Sequence, residues 1–69
     1  MSGSNWSMFD FTVGDTYEST GLGIVTYEGL DTYMNEVTLV FTSEKYGTHY
    51  WLPEALNKRL KPKGEQDAV

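Results

Sequence analysis

The chain has 69 residues, a net charge of −5, no cysteine and a single histidine, His49. Those values allow one domain at most and exclude disulfides, a thiolate zinc site and a multi-histidine metal site. A domain this small buries only about 60% of the surface its unfolded chain exposes. Stability must therefore come from packing its two Trp, five Tyr and three Phe.

Residues 1–8 are small and polar apart from Trp6 and Met8, which predicts a flexible lead-in. They lack the basic and apolar regions of a secretory leader, and no apolar run approaches a membrane span, so the cytoplasm is the expected location. Phe9, Phe11 and Val13 alternate with Asp10 and Thr12, predicting a strand with the three apolar side chains on one face. Gly14-Asp15 interrupts, and Thr16 to Thr20 resumes as extended chain. Gly21-Leu22-Gly23 is a strong breaker. Ile24 to Glu28, rich in β-branched and aromatic residues, predicts the next strand. Gly29 to Asn35 has turn composition. Glu36 to Thr42 predicts the clearest strand, with Val37, Leu39 and Phe41 toward the core and Thr38 and Thr42 outward.

After a loop from Ser43 to Gly47, strand character returns over Thr48 to Leu52. Alternation places Tyr50 and Trp51 on opposite faces, so an inward Trp51 makes Tyr50 the exposed one. Pro53 lacks an N–H, stops the ladder and suits the first position of a helical turn. One short helical turn is expected near residues 53–58, followed by a short strand over residues 59–61. The spacing of Leu52, Leu56 and Leu60 also allows a longer helix. Residues 62–69 have the composition of a disordered tail. Four or five short strands with glycine-bearing turns predict an all-β sandwich or barrel occupying residues 9–61.

The runs Phe11-Thr12-Val13-Gly14-Asp15, Gly21-Leu22-Gly23-Ile24-Val25, Val37-Thr38-Leu39-Val40-Phe41 and Trp51-Leu52-Pro53 resemble those of SH3-like barrels of the Tudor and KOW kind. The nearest in pattern are the CarD-type RNA-polymerase-interacting module and the C-terminal Tudor-like domain of UvrD-family helicases. The resemblance implies a five-stranded SH3-like barrel that binds another macromolecule, with a transcription or DNA-repair machine as partner.

No residue pattern supports catalysis. A lone His49 in a strand is no triad, there is no nucleophile elbow or metal spacing, and Gly21-Leu22-Gly23 lacks the third glycine of a dinucleotide loop. A non-catalytic protein with no cofactor is expected. Ten aromatics exceed what a thin core holds, so some must be exposed, and exposed Tyr and Trp favour interfaces. The candidate protein-binding residues are Tyr17, Tyr27, Tyr46, Tyr50 and Trp51, with a methyl-lysine cage of Tyr17, Tyr27, Tyr46 and Tyr50 as a variant.

Charge is unevenly distributed: up to Asn57 there are eight acids and one base, Lys45. The other bases cluster as Lys58, Arg59, Lys61 and Lys63. That cluster is the candidate nucleic-acid site of an alternative function, which the acidic body disfavours. A third alternative is a small acidic phage-type inhibitor or DNA mimic. A protein partner, no membrane, and a monomer or weak homo-oligomer are expected.

Overall fold

The computed structural model describes residues 5–66. Residues 1–4 of the expected lead-in and 67–69 of the expected tail lie outside the described residues. The chain is mostly β. Strands β1 (Thr16–Glu18), β2 (Ile24–Tyr33), β3 (Glu36–Ser43) and β4 (Gly47–Trp51) form one sheet in sequence order, each neighbour antiparallel. Short connections favour that order, since links of five, two and three residues return the chain beside the strand it has left.

Pro53 opens a 3-10 turn (Pro53–Ala55) that runs into the one-turn helix α1 (Leu56–Arg59). With no N–H, Pro53 cannot extend β4 along β3, whose pairing with β4 ends at Leu39 and Trp51. The helical turn carries Leu56 and Leu60 onto the sheet. Val25, Tyr27, Leu39, Phe41, Trp51, Leu56 and Leu60 are the buried core, with Trp6, Met8, Phe11, Tyr17 and Leu22 packed against it.

The expected closed barrel of five strands is not formed; the sheet is open. Beyond α1 the chain returns to the end of β1, where Leu60 forms an isolated bridge with Ser19. Thr20 N–H donates to the Arg59 carbonyl (2.8 Å) and Lys61 N–H to the Glu18 carbonyl (3.1 Å). Helix occupies the chain up to Arg59 and Pro62 follows Lys61, so no length remains for a full fifth strand.

The expected strand over Phe9, Phe11 and Val13 is absent. Reverse turns replace it: Asp10 N–H bonds to the Ser7 carbonyl and Asp15 N–H to the Thr12 carbonyl, both at 3.0 Å. Phe11 still enters the core cluster, but Phe9 is 85% and Val13 63% exposed. Trp6, expected in a loose segment, is docked. Its ring stacks on Phe11 (4.9 Å between centroids), and its Nε1–H donates to the Lys61 carbonyl (2.8 Å). On the tail side, Gln66 accepts from Glu18 N–H (2.6 Å) and donates to the Glu18 carbonyl (2.9 Å), so its amide stands in for a strand partner.

Gly29, expected to begin a turn, lies inside β2. Pairing with β3 shifts by one residue between Tyr27 and Gly29, leaving Glu28 as a bulge, and Gly29 has φ +122°. Only glycine adopts that angle without strain, so the residue that would have marked a turn marks a bulge. Pairing then continues to Tyr33 and Glu36, and the reversal is made by Met34 and Asn35 alone, with φ 54° and 66°. Positive φ at both central residues is the hairpin turn whose twist matches the flanking strands.

Candidate functional site

The register makes β2 and β3 longer than their neighbours. β1 pairs with residues Ile24 to Thr26 of β2, and β4 reaches only Leu39 of β3. Leu30 to Tyr33 and Glu36 to Thr38 therefore form a two-stranded arm extending past the rest of the sheet. Cross-strand partners share a face, so Asp31, Tyr33, Glu36, Thr38, Val40 and Tyr50 lie on the face opposite the core, and Leu30 and Val37 continue the core face beyond its end.

The arm leaves large apolar side chains exposed. Leu30, Tyr33, Met34 and Val37 of the arm, with Tyr50 of β4 beside it, range from 46% (Tyr50) to 78% (Met34) exposed. Tyr33 on β2 and Tyr50 on β4 reach each other over β3, their rings stacked at 5.6 Å and 20°. Between them Thr38, on the outward face as expected, is nevertheless covered to 3% exposure and donates its hydroxyl to the Asp31 carbonyl at 3.0 Å. Asp31 Oδ1 accepts from Thr32 N–H at 2.8 Å, which caps an N–H at the open edge of β2.

The sequence-derived interface residues are divided by the fold. Tyr27 and Trp51 are core. Burial, with a smaller contribution from neighbouring Tyr17, raises the Tyr27 phenol above its ordinary value. Tyr17 is half-buried among Trp6, Phe11 and Phe41, and its hydroxyl accepts from Thr12 N–H at 3.1 Å. Tyr46 and Tyr50 are exposed, Tyr46 at the β3–β4 turn and Tyr50 on the outer face. Tyr17 and Tyr27 line the interior, so the four tyrosines do not enclose a common cage. Tyr33, with Leu30, Met34 and Val37, is the part that sequence reasoning missed. The signal was present: Leu30 and Thr32 alternate with Asp31 and Tyr33, continuing the strand period through a stretch dominated by turn-forming residues.

The basic cluster is also divided. Lys61 pairs with Glu18 at 3.8 Å, and Lys63 pairs with Asp10 at 3.1 Å while lying 5.8 Å from the centre of the Trp6 ring. A hydrogen bond from Ser7 N–H, then the Lys63 ammonium, hold the Asp10 carboxyl below its ordinary range. Lys58 and Arg59 have no ion-pair partner among the described residues. Arg59 borders a pocket of about 230 Å³ with Thr20, Gly21, Leu22, His49 and Trp51. His49 Nε2 is buried there without a hydrogen-bond partner among the described residues.

No family model, curated protein or solved structure matches the chain.

Proposed function

We propose that this chain is a non-catalytic protein-binding module of SH3-like type, and that it engages its partner through the β2–β3 arm. The observation that carries this function is the set of large apolar side chains the arm holds in solvent. Large apolar side chains held in solvent together on one element mark interaction sites, and tyrosine is enriched where such sites bind. Met34 adds weight. An apolar side chain is kept at the tip, in a left-handed backbone conformation that favours asparagine or glycine, and residues held against local preference cluster at functional positions.

The SH3-like assignment is supported by the meander order, the helical turn after β4 and the return of Leu60 to Ser19, where such a barrel would place its last strand. By the same resemblance the partner belongs to a transcription or DNA-repair machine in the cytoplasm. The basic cluster supports a nucleic-acid role less well, because two of its four members are paired with acids.

Affinity capture from lysate of the source cells, with and without nuclease, tests the function with Tyr33→Ala and Met34→Ala as variants. The expected result is one protein captured regardless of nuclease and lost with either variant, each retaining the wild-type circular dichroism spectrum. Capture that vanishes with nuclease points to nucleic acid and to Lys58 and Arg59. Capture that both variants leave intact removes the arm as the binding surface.

A further inference from the structure

Taking the protein-binding function as given, we propose that the outer face of the arm docks a basic, apolar segment of the partner protein. A lysine or arginine of that segment lies against the stacked Tyr33–Tyr50 pair, beside Asp31 and Glu36.

Charge supplies the first argument. Between Ile24 and Ser43 the chain carries Glu28, Asp31 and Glu36 and no base. Glu28 is occupied by the Thr42 hydroxyl at 2.7 Å. Asp31 and Glu36 form no ion pair among the described residues. Covering the exposed tyrosines with a purely apolar surface would strip water from these carboxylates and return nothing, which is costly for any charge taken out of water unpaired. Covering them with an acidic surface or a phosphate backbone would add repulsion. A partner that brings cations offsets that loss most fully, through charge-assisted hydrogen bonds made as the apolar contact forms.

Geometry supplies the second. Glu36 is the cross-strand partner of Tyr33, and Asp31 lies two residues before Tyr33 on the same face. Both carboxylates are thus next to the ring pair, within reach of a long cationic side chain stacked on it. A guanidinium or ammonium over an aromatic face is attracted by the ring, and a neighbouring carboxylate strengthens the contact through a charge-assisted hydrogen bond. Asp31 is already oriented by the Thr32 N–H, so little side-chain freedom remains to be lost on binding. The same bond closes one N–H of the open β2 edge, which disfavours addition of a strand there and leaves the outer face as the docking surface.

The test is an NMR titration of the full chain with two synthetic peptides. One is acetyl-Leu-Arg-Val-Arg-Leu-amide; the other replaces both arginines by citrulline, which keeps the shape and removes the charge. The expected result is shift changes confined to Tyr33, Tyr50, Asp31, Glu36 and their neighbours with the arginine peptide. The citrulline peptide should bind about tenfold more weakly, and Asp31→Asn with Glu36→Gln should cost the arginine peptide a similar factor. Raising salt should weaken the arginine peptide only. Equal affinity for the two peptides, shifts located elsewhere, or no binding overturns the proposal. Asparagine at position 31 can still accept from Thr32 N–H, so the double variant is expected to fold, and its amide spectrum verifies that directly. If lysate capture depends on Tyr33 and Met34 while the peptides bind alike, the basic-partner inference falls and the protein-binding function stands. If capture ignores both residues, the function itself falls.

Discussion

Replacing Phe41 by alanine should bring the chain to the edge of unfolding. Phe41 is fully buried on β3, and its ring meets four others: Trp51 at 4.9 Å, Tyr27 at 5.3 Å, Phe11 at 5.4 Å and Tyr17 at 6.4 Å between centroids. Phe→Ala in a core costs about 3–5 kcal/mol, because the lost transfer energy is joined by the cavity left behind. The upper part of that range applies here, since aromatic neighbours on several sides cannot all collapse into the gap. A chain of 69 residues has a total stability of about 3–10 kcal/mol at typical values per residue. The midpoint of thermal unfolding should therefore fall by roughly 16–40 °C, at about 4–8 °C per kcal/mol for a domain of this size. Urea unfolding followed by tryptophan fluorescence measures the loss directly, because Trp51 touches the substituted site. Phe9→Ala is the control: its side chain is in solvent, and the cost should stay within about 0.5 kcal/mol. Comparable losses for the two variants would refute the placement of Phe41 at the hub and of Phe9 outside it.

Three further outcomes are expected. Met34→Asn combined with Asn35→Gly should raise stability by about 0.5–1 kcal/mol in denaturant unfolding, because both positions have positive φ and the new pair prefers it; a loss would mean that Met34 is held by contacts rather than tolerated. Tyr27→Phe should flatten the alkaline limb of the pH–stability curve. The folded phenol ionises above the ordinary value of 10.0, so stability is full below that pH and falls as pH rises through the higher folded value; an unchanged alkaline limb in Tyr27→Phe would assign that loss to another group. His49→Leu should be neutral or stabilising by about 1 kcal/mol, since it removes a buried nitrogen with no partner; a loss above about 1 kcal/mol would show that the imidazole is satisfied in solution.

Much of the fold is legible in the sequence where the signal is local. Glu36 to Thr42 is β-branched and aromatic over a full strand length, and it forms β3. Pro53 ends β4 and starts a helical turn because its missing N–H acts wherever it stands. Tyr50 and Trp51 point to opposite faces because consecutive strand residues must. The surface was half legible: Tyr50 is exposed as alternation requires when Trp51 faces inward, whereas Tyr33 was hidden by turn-like neighbours.

What local pattern could not settle is which strand finds a partner. Phe9, Phe11 and Val13 alternate as well as any strand, but no strand among the described residues pairs with them and turns take their place. Gly29 is as suitable for a bulge as for a turn, and only pairing with β3 selects the bulge. Trp6 and Gln66 sit in segments of loop composition, and each is held by a residue about fifty positions away, Lys61 and Glu18 respectively. Composition and period thus determined an acidic, cysteine-free, mostly β chain. Long-range pairing decided which aromatics became core and which were left on the arm, because burial depends on neighbours that sequence distance does not reveal.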